Sequence, residues 1–248
     1  MIPPRSLGRD VNRKIREVTE AIARGLGTIG LLNVQLAVKD ETVYVLEANP
    51  RSSRTVPFVS KVTGVPIAKI AAKVMAGRSL EELDIEEQVP VHTSVKEVVL
   101  PFDRLPGSDP RLGPEMKSTG EVIGTAESFG RAYDKAQDAI SKPIPAEGTA
   151  VIDFSDDEFP DPDSEEGTEL RARFADHFDL VSFDDEAAFK AAIRNDEIDF
   201  IVSRAEDPLR VAVEEGVTYF STTPSARAAL DAIEAKDEDL SVMAVQDR

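Results

Sequence analysis

In a chain of 248 residues, 47 acidic side chains against 29 basic ones leave a net charge of −18 at pH 7. That balance opposes binding to nucleic acid, which draws its strength from lysine and arginine displacing counterions from phosphates. Cysteine is absent, which excludes disulfides, thiolate nucleophiles and cysteine-held metals; no apolar run approaches the ~18 residues of a membrane span, and Met1-Ile2-Pro3-Pro4 is not a secretory leader, so a cytoplasmic protein is expected.

The chain opens with an extended Pro3-Pro4, and Ser6 is a plausible helix cap. Leu7 to Gly25 has helical spacing, with Val11, Ile15, Val18 and Ile22 on one face. Two β-strands follow, joined by a turn around Asp40 to Thr42, and Pro50 stops the second. Thr55 to Lys61 reads as a compact helical turn. Pro66 to Gly77 is a helix with Ile67, Ile70, Ala71, Val74 and Met75 as its apolar stripe. Leu80 to Gln88 is acidic and exposed, Thr93 to Pro101 has the β pattern SVKEVVLPF, and Pro106 to Gly124 is rich in glycine and proline, the composition of a shaped loop. Glu127 to Ile140 is helical, with Phe129, Ala132, Tyr133, Ala136 and Ile140 near one face.

Ser141 to Gly148 reads as a domain boundary. Beyond it strand signals near 150–154, 180–183, 199–203, 217–220 and 240–245 alternate with helical stretches near 169–177, 186–194, 209–215 and 225–235. That alternation predicts a small, mostly parallel sheet covered by helices. The acidic run Asp156 to Glu166 lacks the ligand spacing and turn glycine of a calcium loop and is read as solvated surface.

The hairpin concentrates the chemistry. Successive strand side chains alternate faces, so Asn33 shares a face with Gln35, and Glu47 and Asn49 share one with Val43 and Val45. A three-residue loop at Asp40–Thr42 sets Gln35 opposite Glu47 and Asn33 opposite Asn49. Four oxygen-bearing side chains then meet on one face, with Arg51 and Arg54 immediately after. Hard divalent cations take oxygen ligands and arginine forks grip phosphate or carboxylate, so the stretch predicts a magnesium–phosphate site.

The run NVQLAVKDETVYVLEANPRSSRTVPFVSKVTGVPIAKIAAKVMAG, followed in order by SVKEVVLPF and LGPEMKSTGEV, closely resembles the large subunit of carbamoyl phosphate synthetases, in the C-terminal portion. The fold implied is α/β: the C-terminal part of the second ATP-grasp unit over residues 1–144, then a small Rossmann-like, methylglyoxal-synthase-like regulatory domain over 145–248. The implied activity is ATP-dependent phosphorylation of carbamate within a glutamine-hydrolysing ligase of pyrimidine and arginine biosynthesis. The resemblance places metal ligands (Mg2+ or Mn2+) at Gln35, Glu47 and Asn49, nucleotide-phosphate contacts at Gln35, Glu47 and Asn33, and the catalytic arginines at Arg51 and Arg54. Partners implied are the remaining large-subunit polypeptide and a glutaminase small subunit, with ATP and bicarbonate or carbamate as substrates. The lobe that covers the phosphates would lie before Met1, so the chain alone is expected to be inactive. Two rival readings are another ATP-grasp ligase, such as a biotin carboxylase, which shares an E-x-N-x-R motif, and a non-catalytic regulatory or assembly module.

Glu97 matches the position at which bacterial members of the family bind the activator ornithine, and Thr222 is a candidate for the regulatory-domain side of that site. The terminal domain departs from the family. Its phosphate loop has the form T-x-G-T-A, but here Val181-Ser182-Phe183-Asp184-Asp185-Glu186 stands in its place, and like charges repel a phosphate. The turn Ser203-Arg204-Ala205-Glu206-Asp207 keeps an arginine but no glycine. Regulation by UMP or IMP is therefore not expected.

Acidity spread along the whole chain, with few aromatics and no tryptophan, fits a protein kept soluble in concentrated salt. Refolding followed by circular dichroism against KCl concentration is expected to give a cooperative fold only above roughly molar salt, where charge repulsion is screened to about 3 Å; full refolding in dilute buffer would exclude salt adaptation.

Overall fold

A computed structural model describes residues 1–86, 88–105, 109–111 and 117–238. The chain divides into two compact units, Met1–Val91 and a second that begins at His92. Within the second unit, the segment before the expected boundary at residues 144/145 packs on the parallel sheet after it, as Val95, Ala132 and Tyr133 cluster with Ile152, Phe200 and Leu230.

In the first unit, helix α1 (Arg9–Gly25) precedes strands β1 (Asn33–Lys39) and β2 (Thr42–Asn49), then helices α2 (Thr55–Thr63) and α3 (Ile67–Met75). The predicted α1 stripe faces inward, with Val11 buried and Ile15, Val18 and Ile22 half-buried. On α3 the stripe holds except for Met75, which is 69% exposed. Among the described residues of this unit only Val11, Phe58 and Ala71 are fully buried apolar side chains, while Leu26, Ile29, Tyr44, Val45, Leu46 and Leu80 stand exposed.

The second unit starts with the antiparallel pair β3 (Thr93–Val99) and β4 (Gly120–Ala126). β4 falls where a loop was expected: the glycine-rich 120–126 stretch pairs with β3 because a glycine is wanted there. A Cβ on Gly124 would meet the Ala132 carbonyl oxygen at 2.0 Å, so β4 lies backbone against backbone on helix α4 (Phe129–Ala139). The remainder is β5 (Gly148–Ile152), α5 (Glu165–Ala175), β6 (Phe178–Val181), α6 (Glu186–Arg194), β7 (Phe200–Val202), α7 (Glu206–Glu215), β8 (Thr218–Phe220) and α8 (Thr223–Glu234). Four parallel strands run in the order β6-β5-β7-β8, so the predicted α/β layering forms. Strands buried on both faces are apolar throughout: Ala150, Ile152, Phe200 and Val202 pack toward α4, α5 and α8, and Val151 and Ile201 toward α6 and α7. The strand signal at 240–245 lies outside the described residues, as does much of the 106–116 loop.

Helix α4 was expected to bury one face. It also buries Arg131, Asp134 and Gln137. Arg131 Nη1 donates to Asp134 Oδ2 at 3.1 Å and Lys236 Nζ to Asp134 Oδ1 at 2.8 Å, so the buried carboxylate is matched by two cations. The crossing with α8 is close: a Cβ on Gly130 would meet the Asp231 carbonyl oxygen at 2.0 Å. Gly130→Ala is therefore expected to lower unfolding stability by about 2–3 kcal/mol, against the ~1 kcal/mol that alanine gains in helix propensity; urea unfolding measures it, and an unchanged midpoint would contradict the close crossing.

Candidate functional site

The hairpin turn has two residues, not three. Lys39 faces Thr42, and the register then shifts between Gln35 and Leu36. Asp40 and Glu41 both take positive φ, 48° and 58°, the backbone of a type I′ turn whose twist matches that of paired strands. Lys14 Nζ donates to the Glu41 carbonyl at 3.2 Å and ties the turn to α1. The residue missing from the turn reappears as a β-bulge at Leu46: Leu36 faces Val45, but Gln35 faces Glu47 and Asn33 faces Asn49. The expected pairings are present, reached by another route. One detail is corrected by it. Because the bulge inserts an unpaired residue, the face of Glu47 and Asn49 continues into Tyr44 and Thr42, opposite Ala37 and Lys39, and Val43 and Val45 lie on the other face.

Glu47 is the centre of this cluster. Its Oε1 accepts from Gln35 Nε2 at 2.6 Å and from Asn49 Nδ2 at 2.8 Å. Gln35 and Glu47 are exposed, Asn33 and Asn49 half-buried. Asn33 Nδ2 points to Ser53 Oγ at 3.4 Å, and that oxygen accepts the Thr55 N–H at 3.3 Å at the start of α2. Ser53 thus fixes the chain between the hairpin and α2; its only sequence signal is its place ahead of a helix, a common setting for a capping serine. Arg51 donates its backbone N–H to the Asn49 carbonyl at 2.8 Å and its Nη1 to the Ser52 carbonyl at 2.9 Å. Arg54 is the residue before α2. Both arginines are exposed; the structure places them directly after the polar face.

Among the described residues no three His, Cys, Asp or Glu side chains gather into a cluster. The hairpin donors are of another kind, one carboxylate and neutral amides. Their oxygens suit a hard cation that takes one or two carboxylates and completes its shell with waters and phosphates. Either amide can rotate to present oxygen where it now presents nitrogen.

In the second unit, Glu97 on β3 and Thr222 at the N-cap of α8 line one cavity of about 360 Å³, together with Tyr133, Gln137, Lys142 and Ser225. Residues far apart in sequence are thereby brought together. Thr222 Oγ1 accepts the Ser225 N–H at 3.3 Å, an ordinary cap. Burial pushes the Glu97 carboxyl above its ordinary 4.5, against the Val98 N–H and the charge of Lys142, which both favour the anion. The Tyr133 hydroxyl beside it is pushed up as well, by burial first and then by the charge of Glu97.

Residues 1–83, which include the hairpin, match the family described as carbamoyl-phosphate synthase L chain, ATP binding domain. Along its full length the chain is 57% identical to the carbamoyl phosphate synthase large chain of Halobacterium salinarum, and over 95% of it 43% identical to that of Methanosphaerula palustris. A large chain from Methanosarcina barkeri is 56% identical over 61% of the chain. By sequence, the chain is similar to carbamoyl phosphate synthase large chains along its whole length. It spans 22% and 25% of the length of the first two relatives.

A carboxyl whose folded pKa is raised above its unfolded value destabilises the fold once it ionises. Glu97→Gln is therefore expected to raise the unfolding midpoint at pH 7. The gain should shrink as pH falls toward and below 4.5, where wild-type Glu97 is itself neutral. Thermal unfolding at pH 4 and pH 7 measures this; a variant less stable at pH 7 would show that the Lys142 attraction outweighs burial.

Proposed function

We propose that the first unit supplies the metal–phosphate floor of a carbamate-phosphorylating, ATP-dependent ligase, a glutamine-hydrolysing carbamoyl phosphate synthase serving pyrimidine and arginine synthesis. The observation that carries this reading is the Gln35–Glu47–Asn49 cluster, held in register by the bulge and followed at once by Arg51 and Arg54. Phosphoryl transfer asks for positioning and charge neutralisation more than for covalent chemistry, and nothing in the cluster needs to act as a nucleophile. A bound Mg2+ or Mn2+ would neutralise charge on the transferred phosphoryl group. Glu47 would hold it, with the amide oxygens of Gln35 and Asn49 after rotation, while Asn33 orients the nucleotide phosphates. Arg51 and Arg54 would bind the anionic acceptor and the phosphoryl group in flight.

The partners of this reading are the rest of a large chain and a glutaminase subunit. Support for the first comes from the exposed apolar side chains of residues 1–91 beside, among the described residues, only three fully buried apolar ones, too few to hold a unit of that size alone. The Glu97–Thr222 cavity is read as the receptor for an ammonium-bearing effector of the ornithine kind, since a cation on the ligand would offset the cost of ionising a buried carboxylate.

The test is reconstitution with the upstream large-chain polypeptide and the glutaminase subunit, with bicarbonate-dependent ATP hydrolysis and carbamoyl phosphate formation as readouts. Glu47→Gln is expected to lower kcat by roughly 10²-fold or more, the scale of losing one charge-stabilising group, with the unfolding midpoint unchanged. Unaltered kinetics in that variant would remove Glu47 from the site. No activity in the wild-type reconstitution would favour a non-catalytic module.

A further inference from the structure

Beside the Glu97 cavity the second unit holds another, of about 450 Å³, within the ~300–1,000 Å³ range of small-molecule sites. It lies at β8, the last strand in the order β6-β5-β7-β8. Val217 and Tyr219 reach it from β8 and the residue before that strand. The other walls are the end of β3, the short turn Phe102–Arg104, Thr119 ahead of β4, and the C-terminal ends of α4 and α7.

Most of the lining is hydrocarbon, from Leu100, Phe102, Ile140, Val213 and Val217. Its charges have one sign. Arg104 and Lys142 line the cavity, and among the described residues no carboxylate does. In a chain with 47 acidic residues and 29 basic ones, that sign is opposite to the protein's own. The neighbouring cavity differs, because Glu97 lines it; Leu100, Ile140, Lys142 and Tyr219 are shared by the two.

The two aromatic walls each carry an ammonium on a ring face. Lys142 Nζ stands 4.8 Å from the centre of the Tyr219 ring, and Lys117 Nζ 5.8 Å from that of Phe102, both within the ~6 Å reach of a cation–π attraction. These groups are held in place. The Tyr219 hydroxyl donates to the Pro110 carbonyl at 3.2 Å, and Lys117 Nζ to the Asp109 carbonyl at 3.3 Å. Helix α4 ends with Ser141 at φ 59°, a left-handed stop that usually falls to glycine. The Ser141 N–H donates to the Asp138 carbonyl and the Lys142 N–H to the Gln137 carbonyl, each at 3.0 Å, and the chain so turned brings Lys142 over Tyr219.

We propose that this cavity is a binding site for a small apolar carboxylate, aromatic or branched aliphatic, with its hydrocarbon body against Ile140, Val213 and Val217 and its carboxylate toward Arg104 and Lys142. The proposal is independent of the catalytic reading of the hairpin. An arginine fork meets a carboxylate through two parallel N–H bonds. A cationic ligand of the same shape is repelled, and a neutral one gains only the burial of its hydrocarbon. Inorganic phosphate would give up water to a largely apolar wall that returns few hydrogen bonds.

The probes are benzoate, its neutral analogue benzamide and its cationic analogue benzylamine, titrated into the full chain in KCl that keeps it folded. Benzoate is expected to bind at least about tenfold more tightly than benzamide, the difference between a charge-assisted and a neutral hydrogen bond, and benzylamine most weakly. Arg104→Gln, at an exposed side chain, should bring benzoate down to the affinity of benzamide and leave benzamide unchanged. Val213 lines this cavity and not that of Glu97, so Val213→Phe should fill it and abolish benzoate binding. Benzoate that binds no tighter than benzamide, or that keeps its affinity in either variant, would overturn the proposal. Methyl NMR of the wild-type chain gives a readout free of any folding defect in a variant. Benzoate should shift the methyl groups of Val213 and Val217 and leave that of Ala228, which lines only the Glu97 cavity; shifts confined to Ala228 would overturn the assignment.

Discussion

The second unit depends on how closely helix α4 is allowed to approach its neighbours. Gly124 lets β4 lie against the backbone of α4, and Gly130 lets α4 cross the backbone of α8. With no side chain at either contact, the helix sits deep enough that Arg131 and Asp134 are buried too. The Arg131–Asp134–Lys236 set is the consequence, because a carboxylate that far from water must be matched by cation and hydrogen bond. The same approach joins the β3–β4 pair to the parallel sheet as one core, and it walls the cavity that holds Glu97.

The first unit is governed by a different constraint, strand register. A slip of one residue turns a whole strand over. With a two-residue turn and no bulge, Glu47 would face Val34 and its carboxylate would lie on the opposite side from Gln35. The bulge at Leu46 restores the pairing, and the cluster owes its existence to that one unpaired residue. Bulges that re-aim a side chain near a site are a recurring use of the device.

The two units also differ in how well each closes on itself. The parallel sheet is covered on both faces and its aromatic side chains stack through the interior, Phe178 on Phe200 and Phe183 on Phe189. The hairpin unit leaves Tyr44, Val45 and Leu46 exposed. Its central carboxylate, Glu47, is likewise exposed. At the sheet ends of the second unit the polar groups pair with one another, Ser203 with Asp153 and Arg204 with Asp156.

Local pattern settled much in the sequence. Apolar spacing marked α1, α3, α4 and the alternating strands and helices after residue 148. Alternation along the hairpin put Asn33, Gln35, Glu47 and Asn49 together, and the ordered motifs marked the family. These are legible because side-chain period and short-range order are written into neighbouring residues. Tertiary structure decided the rest. The loop length and the bulge give the same pairing by two routes, and only the paired backbone tells them apart. β4 hid in a glycine-rich stretch because Gly124 answers to the helix that follows it. The meeting of Glu97 with Thr222, and of Arg204 with Asp156, depends on packing between distant segments, which no local spacing encodes.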